Sequence, residues 1–510
     1  MHADILIING KCMIMKNREV VEWLAINNGR IIALGKGDEY KSFAEDSSIV
    51  IDARGNTVLP GFIDSHFHVV QTAMNADSMN LNDIHSYEEI GEKIRQTEKN
   101  NPGECIMGVR LEREKLVEKN FPDRLTLDKY CSNIPVWINC LDYQVSMLNT
   151  YGLLYYKVPF RMEGIEMDSN DVATGIFKGK ANATLRTNVL SNYPDKRRKA
   201  NVSNLMPKLL SVGITTVNAM EGGYMYSDKD ADFIYEYGEN FPVDMTLFYQ
   251  SMDIDKIKDM NLKRIGGSLY IDGTMGARTA ALSFEYCDCP GKMGSLIFLQ
   301  HELNEFVLEC YKNHLQLSLY AIGDRAIEES LNAHEYALYH TGIKGLRHRI
   351  EHVELANISQ IKRAAEMGII FSMNPTYESY WGGPHKMYRQ RLGDRYIETN
   401  KFREIIDNGV LICGGSDSDI CEYNPLLGIC AAANHPVEEH SVDVYEALEM
   451  YTCNGAYAIF EEKDKGTLEV GKIADVIILD NDIMEVPKKE IGNLKVVSTI
   501  KSGELLYNVL

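Results

Sequence analysis

The sequence predicts a (β/α)8 TIM barrel, with a small β-sandwich built from both chain ends and an α/β insertion after the first barrel strand. Three observations lead there. Eight short apolar runs with helix-like spacers occupy the middle of the chain. Residues 1–57 and 458–510 alternate apolar and polar positions at period two. The stretch between the first two apolar runs is too long for one crossover.

In chain order, ADILIING, VVEWLAINNGRIIALGKG and SSIVIDARGNTVLP predict strands separated by Gly and Asn turns. GTLEVGKIADVIILD and NLKVVSTIKSGELLY repeat that character near the other end. Neither end has enough apolar residues for its own core, so the two are expected to pair. Between them, residues 58–457 carry the eight strand candidates: VLPGFID, GITTVNAM, PVDMTLFY, GGSLYID, LQLSLYAI, RHRIEHV, GIIFSMN and GVLICGGSD. NEFVLECYKNH, EESLNAHEYALYH and ISQIKRAAEM are helix-like spacers. Residues 71–210, with GECIMGVRLE and IPVWINC, form the insertion, expected to cover the barrel mouth. The aromatic, Gly-rich and basic segment 376–395 is expected to be a loop before a helix, leaning over the site.

Bulk composition excludes several classes. The 510 residues carry 53 Lys plus Arg against 73 Asp plus Glu, a formal charge of -20. That disfavours nonspecific binding to nucleic acid or an anionic membrane, both of which need clustered cations. KRRK at 196–199 is the densest basic run and is expected to be a solvated helix start. No apolar run is long enough to span a bilayer. Eleven Cys without a repeated spacing suit a reducing cytoplasm.

In a barrel of this kind, chemistry sits at the C-terminal ends of the strands. His66, Glu221, Asp272, Tyr320, His352 and Asp417 all fall there. His66 and His68 are two apart, so both imidazoles leave an extended strand end on one face and can address one ion. Asp417 follows the apolar GVLICGG, where a carboxylate must be solvated, paired or metal-bound; Asp419 competes with it. In RHRIEH, strict alternation puts Arg347, Arg349 and Glu351 on one face and His348, Ile350 and His352 on the other. His352 is the expected ligand, His348 a deeper structural residue, and Glu351 a partner for a neighbouring arginine.

PGFIDSHFH, IDGTMGARTAAL, AIGDRAIEE, RHRIEH, GGSDSD and GTLEVGKIADVIILD, in that order, closely resemble the amidohydrolase superfamily and its YtcJ-like branch. The resemblance covers nearly the whole chain. It implies a metal-bearing barrel, a homodimer, and hydrolysis of a C–N bond of a small molecule by metal-activated water, with Asp417 moving the proton. It also implies a metal-binding lysine where Ser268 stands and a histidine where Tyr320 stands. In LDYQVSMLN, Asp142 matches the resemblance's Asp-Gly-His pattern, while Tyr143 and Gln144 replace the glycine and histidine. Glu221 is the candidate substitute for the bridging lysine. The expected metal ligands are then His66, His68, Glu221, His352 and Asp417, for one or two divalent ions. Zinc fits them, with iron or manganese as alternatives. Asp142, Gln144, Asp272, Arg278 and Tyr320 are expected to face substrate, Arg278 pairing with a carboxylate of the substrate or of Asp272. The alternatives are a non-hydrolytic isomerase or lyase using Tyr320 as an acid or base, and a catalytically silent small-molecule-binding protein.

Overall fold

A computed structural model describes every residue except Met1, Asn101, Pro102, Asp142, Phe160 and Met225. It divides into two compact units. The larger holds residues 1–68, 206–220 and 234–510; the smaller holds 69–205 and 221–233.

The eight predicted runs supply the eight strands of one parallel sheet, which follow one another in sequence order. They are β1 (Phe62–Phe67), β2 (Ile214–Glu221), β3 (Asp244–Tyr249), β4 (Arg264–Tyr270), β5 (Gln316–Ala321), β6 (Arg349–His352), β7 (Ile370–Met373) and β8 (Ile412–Gly414). Every residue of β1, β5, β6, β7 and β8 is buried, as expected for strands covered on both faces. The predicted spacers form helices Gln300–Lys312, Asp324–Thr341 and Ile358–Met367. The last is closed by a capping box at Asn357 and Gln360 and by left-handed Gly368.

The sheet closes where the end of β1 meets the chain beyond β8. Asp417 N–H donates to His66 O (2.9 Å), and His68 N–H donates to Ser418 O (2.9 Å). Asp64 Oδ1 accepts from the N–H groups of both His66 (3.1 Å) and Ser416 (3.0 Å). Gly415 is required at this seam: a Cβ there would lie 2.6 Å from His66 N and 2.7 Å from its Cβ.

VLPGFID is two strands, not one. Thr57–Pro60 belongs to the sandwich, pairing in parallel with Lys11–Met13 and antiparallel with Val476–Leu479. The chain crosses to β1 at Gly61, where a Cβ would meet Thr215 Oγ1 at 2.3 Å. The sandwich therefore reaches Pro60. Its second sheet orders Arg30–Gly35, Trp23–Asn27, Ile5–Ile8 and Ile49–Asp52. One core joins both chain ends, with Ile7, Leu24, Ile26 and Val58 against Leu468, Val476, Ile478 and Ile500.

The segment 376–395 is helical rather than a loop, forming Thr376–Trp381 and Met387–Leu392. Its aromatic residues explain the difference: Tyr377 and Trp381, one helical turn apart, pack edge to face with centroids 4.4 Å apart.

In the smaller unit, GECIMGVRLE contributes strand Ile106–Leu111 and IPVWINC contributes Val136–Cys140 to a six-stranded sheet. KRRK does begin a helix, Asp195–Ser211, with Lys196 and Lys199 exposed as expected and the two arginines drawn inward. Arg198 is fully buried against Asp230 (2.9 Å) and Arg197 pairs with Asp77 (2.9 Å), because each finds a carboxylate across the fold. Among the described residues, no helix is long and apolar enough to cross a membrane.

Gly415→Ala is expected to destabilise the protein by about 1–3 kcal/mol, because the atoms it meets are the backbone and Cβ of His66 and cannot swing aside. A lower thermal unfolding temperature reports it; an unchanged one would show that the seam tolerates a methyl group.

Candidate metal centre

The seam sets His66 and His68 beside Asp417. His66 Nε2 lies 3.3 Å, and His68 Nε2 3.2 Å, from Asp417 Oδ1. All three residues are buried, and among the described residues they form the one group of three or more His, Cys, Asp or Glu side chains whose donor atoms converge, within 4.8 Å of one another.

The other ring nitrogens are committed. His68 Nδ1 donates to the carbonyl oxygen of Met220 (2.7 Å), and His66 Nδ1 faces the carboxylate oxygen Glu351 Oε2 (2.9 Å). Each imidazole thus turns Nε2 towards the same carboxylate oxygen, and only a proton or a cation between them relieves the repulsion of facing lone pairs. A tetrahedral ion with bonds of about 2.0–2.1 Å has ligand–ligand edges of roughly 3.3–3.4 Å. The two imidazole–carboxylate distances fit it.

Electrostatics favours a cation here. Burial opposes charging His66, but Asp417 and Glu351 outweigh it and raise the imidazole to about 9. Burial also opposes ionising Asp417, yet hydrogen bonds from His66 and His68 hold it well below the usual carboxylate range. Glu351 is held low in the same way, burial being outweighed by Arg349 and His66. Arg349 Nε and Nη2 both donate to Glu351 (2.9 Å each), and Ser318 Oγ adds a third donor at 2.8 Å. Glu351 pairs with an arginine as expected, and also orients His66, a role that strand alternation did not reveal.

His352 stands beside the group, its ring centroid 4.8 Å from that of His66. Strict alternation would separate it from Glu351. A left-handed backbone at His352 (φ 71°) and Val353 (φ 51°) ends that alternation, and Asp417 is left-handed too (φ 52°). Such strain in non-glycine residues is characteristic of functional sites. Asn374 Nδ2 donates to Gly415 O (3.2 Å), so its Oδ1 accepts from His352 Nδ1 (2.7 Å) and leaves the Nε2 lone pair exposed on the ring. Burial and the charge of His66 lower His352 to about 4, so the ring is neutral. His348 is structural: its Nδ1 accepts from Leu317 N–H (3.1 Å), and its ring stacks on Tyr311 at 4.3 Å.

Two residues escaped the sequence reading. Tyr377 donates its hydroxyl to Asp417 Oδ2 (2.5 Å) and lies parallel to the His352 ring, 8° apart in plane. Asn374 fixes His352, as above. Both follow β7 in MNPTYE, a run with no ligand-like spacing; Tyr377 lies in the segment expected to lean over the site, but nothing in it marked that residue as a partner of Asp417.

Asp272, Arg278 and Tyr320 lie in the larger unit, Glu221 and Gln144 in the smaller. Asp272 accepts the N–H groups of Ala281 (2.8 Å), Ile322 (3.0 Å) and Gly323 (2.8 Å), which makes it a brace between the β4 and β5 loops. Burial nevertheless pushes it up to about 7. Arg278 pairs with Asp288 (2.7 Å) and not with Asp272, whose oxygens are taken by backbone amides. Tyr320 is buried, and its hydroxyl donates to Gly273 O (3.3 Å). Burial and the neighbouring Tyr270 hold that phenol well above its usual range. Glu221 belongs to the smaller unit, where its Oε1 accepts from Val70 N–H (3.0 Å); burial and Asp230 raise it well above the usual range. Gln144 is exposed in the smaller unit, and Asp142 lies outside the described residues.

An eight-stranded parallel barrel with imidazoles and a carboxylate converging at its C-terminal rim is the architecture of a hydrolase barrel. The chain belongs to the Amidohydrolase family, whose profile matches residues 49–507. It is 25% identical to N-substituted formamide deformylase of Arthrobacter pascens, covering 99% of this chain and 98% of that protein. It is also 25% identical to the protein LONG AFTER FAR-RED 3 of Arabidopsis thaliana, covering 99% and 92%. A solved structure of an uncharacterized metal-dependent hydrolase from Pyrococcus furiosus superposes with a TM-score of 0.80 at 26% identity, over 94% of this chain and 100% of that one.

Tyr377→Phe removes the donor that anchors Asp417 Oδ2. It is expected to weaken divalent-cation binding about 10–100-fold, the usual cost of losing such an outer support. Competitive chelator titration measures this; wild-type affinity would show that Asp417 needs no anchor.

Proposed function

We propose that this chain hydrolyses a carbon–nitrogen bond of a small amide, formamide or cyclic amide, with a divalent cation, zinc foremost, held by His66, His68 and Asp417. The observation that carries this reading is the convergence of two imidazole Nε2 atoms on Asp417 Oδ1 while both Nδ1 atoms are committed elsewhere. The kinship with a relative named N-substituted formamide deformylase supports the bond type. When bound, the cation supplies Lewis acidity, which acidifies water and polarises a carbonyl oxygen.

The chain's own groups do the rest. Asp417 is ionised and takes the proton of the attacking water, then delivers it to the leaving nitrogen. Tyr377 holds Asp417 Oδ2, so the carboxylate cannot rotate away from the imidazoles. Glu351 keeps His66 oriented, and Arg349 neutralises Glu351. His352, neutral and with its Nε2 lone pair set by Asn374, accepts an N–H of the substrate. An isomerase or lyase using Tyr320 as a base is disfavoured by the proton that burial keeps on that hydroxyl, and one using it as an acid by the hydroxyl's bond to Gly273 O.

Asp417→Asn is expected to keep the wild-type circular dichroism spectrum while losing about 10²–10⁴-fold in turnover across a panel of N-substituted formamides. Wild-type turnover in that variant would remove Asp417 from the reaction. In H₂¹⁸O, the carboxylate product is expected to carry one solvent oxygen; an unlabelled product would assign the barrel to non-hydrolytic chemistry.

A further inference from the structure

We infer that the site holds a single ion, and that Tyr320 and Tyr377 close the place where a second would sit. The inference rests on the metal reading above and concerns what surrounds His352, the one imidazole beside the convergent group.

A second cation next to His352 needs further donors, and three carboxylates around it, Asp417, Glu351 and Asp272, have their oxygens engaged. Asp417 Oδ2, the oxygen that could bridge two ions, is occupied by the Tyr377 hydroxyl at 2.5 Å. Glu351 is saturated by Arg349, Ser318 and His66. Asp272 spends its oxygens on three backbone amides. Aromatic rings fill the space instead. The Tyr320 ring stands edge-on to His352 with centroids 4.5 Å apart, and the Tyr377 ring lies parallel to it at 5.9 Å. Tyr320 is itself held by the ring of Tyr270, 4.5 Å away, its register partner across β4 and β5.

Ser268, where a longer side chain could reach the same place, has no carboxylate or amine to offer. It sits at a left-handed φ of 67°, and its N–H donates to Ser318 Oγ (3.0 Å), the hydroxyl that supports Glu351. The position thus feeds the polar chain that orients His66 and serves the first ion only.

The test is metal stoichiometry. Purified protein is stripped with chelator, reconstituted with Co²⁺ or Zn²⁺, desalted and measured by elemental analysis. One tight equivalent per chain is expected, and Mn²⁺-loaded protein should show the resonance spectrum of an isolated ion, without exchange coupling. Two tight equivalents, or a coupled spectrum, would overturn the single-ion site while leaving the metal reading intact. No retained ion would overturn both. Tyr320→His, checked for folding by circular dichroism, is expected to gain a second, weaker equivalent. A folded variant that gains none would remove Tyr320 as the residue that closes the place.

Discussion

Everything at the site depends on one seam, where the end of the first barrel strand bonds to the chain beyond the last. Two backbone hydrogen bonds, His66 O with Asp417 N–H and His68 N–H with Ser418 O, involve all three residues proposed to hold the cation. Barrel closure and site assembly are therefore the same event. Glycine at position 415 lets the two segments approach, and Asp64, buried in the first strand, staples them through two amides. A carboxyl there costs desolvation, and burial accordingly pushes Asp64 up to about 6.

From the seam outwards, each polar group is held by another. Glu351 orients His66, Arg349 and Ser318 hold Glu351, and the guanidinium lies over the Phe248 ring at 4.6 Å. On the other side, Gly415 O orients Asn374, which sets the His352 tautomer, while Tyr377 fixes Asp417. Buried charges survive when they are paired and hydrogen-bonded, and such shells bring rigidity along with polarity. Ser318, Arg349, Glu351 and His352 lie on strands and Tyr377 on a short helix, while His68 and Asn374 directly follow strand ends and Asp417 lies three residues past the last barrel strand.

Much of this was legible from residue patterns. Eight apolar runs gave the eight strands, and the spacing of His66 and His68 pointed to one face. What was not legible had local causes. Period-two apolar patterning cannot show where VLPGFID changes sheet, because residues on both sides of Gly61 are buried. Alternation put Glu351 and His352 on opposite faces, yet both lie beside His66, and no side-chain pattern announces the left-handed backbone at a histidine. Tyr377 resembles a packing residue until the fold brings it to Asp417. The pairing of Arg278 with Asp288 and of Arg198 with Asp230 followed from tertiary neighbours that composition does not specify.

The composite sandwich has a consequence for how the protein is made. Strand Thr57–Pro60 runs straight into the strand that carries His66, yet its antiparallel partner, Val476–Leu479, is synthesised more than four hundred residues later. At ribosomal rates of about 5–20 residues per second, that edge waits roughly 20–80 s for its partner. An unpaired apolar edge of that age is a target for misassociation. Nascent chains should therefore need a holding chaperone until Val476–Leu479 has been made, and the rim that carries His66 cannot close before Asp417 has been made.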